Sequence, residues 1–174
     1  ARHRRIVMLT TLRIQAEDFD LAEQYSLLRS SSPATTEIGA IVTFTGLVRE
    51  FEPRSRDHND DGGALDGMRL QHYPGMTEKL LQGIIDDAAQ RWPLLAVTVI
   101  HRVGHLAPCD QIVFVGVASE HRQPAFQATE FIMDYLKTRA TFWKQITIDG
   151  QPRWVDSKNS DTTAARRWDA QCDG

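Results

Sequence analysis

The chain has 174 residues, 41% of them apolar and 25% charged, with a formal net charge of −3. That length suits one domain over 1–174, and the composition is that of a globular protein able to bury a core. The charge excludes a global basic field for nucleic acid, and purely apolar runs of only a few residues exclude a helical membrane span.

Residues 6–14, IVMLTTLRI, are rich in β-branched side chains and predict a strand. The basic residues before them adjoin no long apolar segment or small-residue cleavage site, so no signal peptide is expected. Asp18 can cap a short helix whose apolar face is Phe19, Leu21, Ala22, Tyr25 and Leu28. Residues 38–48, IGAIVTFTGLV, predict a long strand, and their near-continuous apolar character predicts burial. Residues 49–67 are charged and rich in Gly and Asp, and are long for a loop in a compact domain. They predict a mobile segment, either a functional lid or a plain disordered insertion. MRLQHY at 68–73 returns as a strand. The clearest helix is 74–93, with Met76, Leu80, Leu81, Ile84, Ile85, Ala88 and Trp92 on one face and Pro93 as its stop. Strands 95–104 and 111–119 are joined by a turn at APCD, and a helix follows from about 121 to 139. Residues 144–155 predict a hairpin about Asp149-Gly150, 160–168 a last short helix, and 169–174 a polar tail. Interspersed helices and adjacent strand pairs indicate an α+β fold with mixed or antiparallel sheet.

The common catalytic signatures GxSxG, HExxH, GxGxxG and the P-loop are absent. The two cysteines, Cys109 in a turn and Cys172 in the tail, have no metal spacing. They argue against a metal site and a thiol nucleophile, and for a reducing, cytoplasmic setting. What remains is a set of basic residues beside element ends. Arg49 follows the 38–48 strand, and pairing with Glu50 or Glu52 would account for it. Lys137 closes the long helix, where a cation meets the negative end of the helix dipole. Lys144 opens the next strand, a common place for a solvated lysine. His121 and Arg122 open the long helix at the positive end of its dipole, where cations are unfavourable. They are solvated, paired with Glu120, or facing an anion. Phe126 and Met133 share a helical row with Lys137, a spacing that most often marks core.

GAIVTFTGLVR, HYPGMTEK, RWP, VTVIHRVG, IVFVGVASEHR, FIMDYLKTRA, FWK and RWV follow one another in an order that resembles the MoaE family, the large catalytic subunits of molybdopterin synthase. The resemblance spans roughly residues 38 to 168. It implies an α/β-hammerhead fold with a small additional antiparallel β subdomain. It also implies a sulfurtransferase of molybdenum cofactor biosynthesis, placing two sulfurs on cyclic pyranopterin monophosphate to form the dithiolene of molybdopterin. The sulfur donor it implies is a small ubiquitin-like subunit whose C-terminal Gly-Gly ends in a thiocarboxylate. The implied assembly is a heterotetramer around a homodimer of large subunits, with no metal or cofactor of its own, no nucleic acid and no membrane.

Matched position by position, the resemblance implies that Lys137 and Lys144 are the catalytic residues and also contact substrate. It adds Arg49, His121 and Arg122 as anion-binding groups, and Lys158 at a position often held by arginine. The sequence departs from the family pattern in its extended loop after Arg49, in Thr141 where proline is common, and in its DAQCDG tail. Two other functions fit the basic residues without the resemblance. One is a binding module capturing a phosphorylated ligand at His121 and Arg122. The other is a scaffold whose long loop docks a partner. A geometric expectation also follows. His121 and Lys137 lie sixteen positions apart on one predicted helix, roughly 24 Å along its axis. One pterin monophosphate cannot span that. Either a second copy of the chain supplies one end of the helix, or the helix breaks near Pro124, or the pair binds only a stray anion.

Overall fold

The computed structural model describes residues 7–30, 35–50, 65–155 and 159–169. Most of the predicted 49–67 loop, Lys158, and the tail with Cys172 lie outside the described residues. The element order is β1 (Leu9–Gln15), α1 (Leu21–Ser30), a short 3-10 turn (Thr35–Glu37), β2 (Ala40–Leu47), β3 (Leu65–His72), α2 (Met76–Arg91), β4 (Ala96–Arg102), β5 (Gly104–Leu106), β6 (Gln111–Ser119), α3 (Arg122–Arg139), β7 (Phe142–Ile148), β8 (Gln151–Val155) and α4 (Asn159–Asp169). The strands form two four-stranded sheets. The first, in the order β1-β4-β6-β2, is mixed, with β1 parallel to β4 and the other pairs antiparallel. The second, β5-β3-β7-β8, is wholly antiparallel. This is the expected α+β organisation, a hammerhead with an added antiparallel sheet.

The central strands β4 and β6 are apolar on both faces because both faces are covered. Val97, Val99, Val113, Val115 and Val117 pack with Leu81, Ile84, Ile85 and Ala88 of α2 and with Ala128, Phe131, Ile132 and Leu136 of α3. The alternate residues Ile100, Phe114 and Ala118 meet Phe19 and Leu28 on the other face. A separate core of Val48, Met68, Leu70, Leu106 and Ile146 belongs to the second sheet. The hairpin turn is as expected: Asp149 and Gly150 both have positive φ, 49° and 74°, the geometry a two-residue antiparallel connection favours.

Five local expectations are corrected. The β2 run is not buried. It is an edge strand, with Phe44 40% exposed and Leu47 also exposed, because only β6 pairs with it. A continuous apolar run does not separate a central strand from an edge beneath a helix. The cap of α1 is Asp20, whose Oδ1 accepts from the Glu23 amide at 2.7 Å. Asp18 instead accepts from the Gln111 side chain at 2.8 Å and lies 3.6 Å from Arg102. The Gln111 bond, then the Phe19 amide, hold its carboxyl below the usual range. Met76 is exposed, and Thr77 takes the buried place at the start of α2. Between β4 and β6 the chain does not simply turn, because Gly104–Leu106 crosses to the second sheet and pairs with β3. Finally, Phe126 is 61% exposed while Met133 is buried, so their helical row is only partly core.

Candidate active site

Helix α3 is the spine of the candidate site. It runs without interruption from Arg122 to Arg139, so it does not break near Pro124. A proline in the first turn removes an amide that has no helical partner there, and its fixed φ suits the helix. His121 is the N-cap, with φ −123° and ψ 150°. No side chain among the described residues caps this end, and the first turn carries no acidic residue. The leading amides therefore point at whatever occupies the space beyond them. That space is an open groove of about 780 Å³, lined by Gly39, Glu120, His121, Arg122, Gln123, Phe126 and Gln127. His121 is 74% exposed, and its Nε2 lies 3.7 Å from Glu120 Oε1. One carboxylate thus faces two basic side chains and a helix N-terminus, which leaves the groove suited to an anion.

The other end of α3 carries Lys137, exposed in the last turn. Its neighbour Arg139 is engaged, bonding Asp87 at 3.0 Å and lying over the Tyr135 ring at 3.8 Å. Ala140 and Thr141 alone connect α3 to β7. Lys144 is the third residue of β7, half-buried and in register with Leu70 on one side and Val155 on the other. It therefore shares the sheet face of Leu70 and Ile146 and stands at the margin of the second core. Two contacts hold this turn. Thr141 Oγ1 lies 2.9 Å from Thr77 Oγ1, whose oxygen also accepts from the Tyr73 amide at 3.0 Å. The His101 ring stacks on Phe142 with centroids 3.8 Å apart. Burial pushes His101 down to about 4 against a weaker upward pull from the Arg102 carbonyl, and nearby His72 adds to the lowering.

Arg49 is exposed just past β2. Its predecessor Val48 is anchored by its amide to Asp110 and by its carbonyl to the Cys109 amide, at 2.9 and 2.8 Å. Strand register then fixes the sides. Ala40 pairs with Ser119 and Leu47 with Gln111, so β2 starts where α3 starts. α3 packs along β2, with Val42, Thr43 and Phe44 opposite Phe126, Thr129, Glu130 and Met133 around a second groove of about 450 Å³. Helix and strand therefore run in the same direction. Arg49 falls toward the Lys137 end, and His121 and Arg122 lie at the other, His121 roughly 24 Å from Lys137 along the helix axis.

Phe44 and Phe126 were not expected at the site from sequence. Phe126 lines both grooves, so they adjoin at its ring. The only sequence signal was an aromatic one turn after His121 and Arg122, and that spacing also fits core. Among the described residues no group of three or more His, Cys, Asp or Glu side chains is placed to hold a metal.

Residues 14–139 match the family model described as MoaE protein. The chain is 53% identical over 160 residues to a molybdopterin synthase catalytic subunit of Yersinia pestis, covering 91% of this chain and 97% of that one. Its fold matches the structure of a molybdopterin biosynthesis MoaE protein from Burkholderia ambifaria with a TM-score of 0.75 and 44% identity, over 92% of this chain and 99% of that one. The fold is also that of a chain in a complex of subunits 1 and 2 of molybdopterin-converting factor from Helicobacter pylori, at a TM-score of 0.63 and 15% identity, over 86% and 91% of the two chains. A model match over most of the chain and a relative identical at half of its positions are more than a shared fold: the chain belongs to the MoaE family.

Proposed function

We propose that this chain is the catalytic subunit of a molybdopterin synthase, moving sulfur from the thiocarboxylated C-terminus of a small ubiquitin-like subunit to cyclic pyranopterin monophosphate. Beyond family membership, the observation that carries this is the separation of basic groups along one unbroken helix. An anion groove bearing His121 and Arg122 lies at one end, and lysines suited to charge stabilisation and proton transfer lie at the other.

In this reading the substrate phosphate sits on the α3 N-terminus between His121 and Arg122. In each of two rounds, thiocarboxylate sulfur forms a C–S bond to a side-chain carbon of the substrate as that carbon's bond to oxygen breaks, the oxygen leaving on the opened phosphate or, once protonated, as water. Water then cleaves the acyl C–S bond and returns the partner's C-terminus as a carboxylate. Lys137 stabilises the acyl oxyanion, and Lys144 holds the pterin and moves protons as the cyclic phosphate opens. Arg49 and Lys158 add positive charge. The sulfur arrives on the partner, so the chain uses no metal or cofactor of its own. We place the reaction in the cytoplasm, where the exposed Cys109 thiol stays reduced.

One copy cannot present both ends of α3 to one substrate, so a two-fold homodimer supplies them from different protomers. The exposed Phe44 and Phe126 lie between the charged ends, where a second copy would cover them. With one small subunit on each large one, the assembly is a heterotetramer.

The test mixes Lys137→Ala, whose turnover is strongly lowered, with His121→Ala, whose raised KM leaves it nearly silent at precursor concentrations well below the parent KM, and follows dithiolene formation at such a concentration with thiocarboxylated small subunit. Shared sites predict partial recovery, since mixed dimers hold one intact site. Dead mixtures after verified subunit exchange would refute the composite site. Precursor binding by the unmodified protein without product would favour a simple binding module.

A further inference from the structure

We propose that Gly39 is a positioning residue: its missing side chain lets the start of β2 lie against the Glu120 peptide and so aims His121 and Arg122 into the groove. The inference rests on the anion-site reading above and goes beyond it to the feature that shapes that site.

Gly39 stands immediately before β2, and its amide donates to the Ser119 carbonyl at 3.1 Å. It lines the same groove as His121 and Arg122. A Cβ at this position would fall well inside 3.0 Å of the Glu120 carbonyl oxygen and 3.3 Å from its carbonyl carbon. That carbonyl belongs to the peptide whose nitrogen is the amide of His121, so moving it re-aims the N-cap and first turn of α3. The obstacle is backbone, so no rotamer change relieves it. Nor can β6 yield on its other side. Ser119 is fully buried and its hydroxyl donates to the Pro93 carbonyl at 2.9 Å, while the Leu95 amide donates to Ala118 at 2.9 Å. The displacement falls on the exposed segment Glu120–Arg122.

Gly116 is the matched control. A Cβ there would also collide, but with the ends of the Leu28 and Phe114 side chains, on the α1 side of the sheet. Gly116→Ala should lower thermal stability and leave substrate affinity alone.

The experiment uses the full chain with thiocarboxylated small subunit, measuring KM for cyclic pyranopterin monophosphate and kcat separately. Gly39→Ala should raise KM about tenfold, the equivalent of one charge-assisted hydrogen bond, with little change in kcat. In a His121→Ala, Arg122→Ala background the same substitution should raise KM no further. Ser119→Ala, which cuts the Pro93 tether and leaves Gly39 in place, should raise KM about threefold, half that interaction on a logarithmic scale. It serves as the second variant if Gly39→Ala does not fold. The proposal is overturned if folded Gly39→Ala keeps the parent KM, or if its effect persists undiminished without His121 and Arg122. An unchanged KM in Ser119→Ala overturns it where Gly39→Ala is not obtained. An unchanged KM in the His121→Ala, Arg122→Ala protein alone refutes the anion site itself, and this inference with it.

Discussion

His101 ties the two sheets together at the turn that leads to Lys144, and it does so as a neutral ring. It is 5% exposed on β4, stacked on Phe142 of β7, with Nδ1 placed 2.8 Å from the Arg102 carbonyl. Burial lowers its pKa from 6.5 to about 4. Between those values the unfolded chain binds a proton that the folded chain refuses. Stability therefore rises with pH across the window, is complete above about 6.5, and is lost as pH falls toward 4. A displacement of this size corresponds to roughly 3 kcal/mol in full, of which about 2 kcal/mol is gone by pH 5. Carboxylates titrate in the same range, so the contribution must be isolated by difference. Urea unfolding of the parent and of His101→Gln, at intervals from pH 7.5 to 4.5, gives that difference. The parent's advantage over the variant should shrink by about 2 kcal/mol between pH 7 and pH 5. Parallel stability curves would refute the claim that a buried neutral imidazole holds this junction.

Lys137→Ala should lower turnover by about 10²–10³, the worth of one preorganised donor, while a helix-end lysine contributes only about half a kcal/mol to folding. Near-normal dithiolene formation in a sulfur-transfer assay would remove Lys137 from the chemistry. Trp168 is 4% exposed, packs edge-on against Trp92 and Phe131, and donates its indole N–H to Asp134 at 2.8 Å. Trp168→Ala should cost about 3–5 kcal/mol in denaturant unfolding, and a loss below about 1 kcal/mol would mean that α4 contributes little to the main core. Thr77→Val keeps the shape of a fully buried side chain but leaves the Tyr73 amide and the Thr141 hydroxyl without their partner. It should destabilise by about 1–3 kcal/mol, and an unchanged midpoint in thermal unfolding would show that water replaces the lost bonds.

Local chemistry carried much of this protein in its sequence. The 3.6-residue period of 74–93 and the long helix to Arg139 marked α2 and α3 because a helix repeats its buried face within a few residues. The Asp149-Gly150 pair marked a hairpin because positive φ at both turn positions is a property of those two residues. Even the separation of His121 from Lys137 was legible, since helical rise depends on neither sheet nor partner. Other features required the assembled structure. Whether the apolar run of β2 lay at the centre or the edge depended on pairing with β6, some seventy residues away in the chain. That edge position left Phe44 and Phe126 exposed between the charged ends. Asp18 lost the helix cap to Asp20 because Gln111 and Arg102 arrive from distant strands to engage it. The side on which Arg49 falls came from strand register, and the need for glycine at 39 came from a carbonyl at 120. Periodicity and turn chemistry are short-range and show in neighbouring letters, whereas edges, alternative partners and close backbone approaches exist only once distant segments have met.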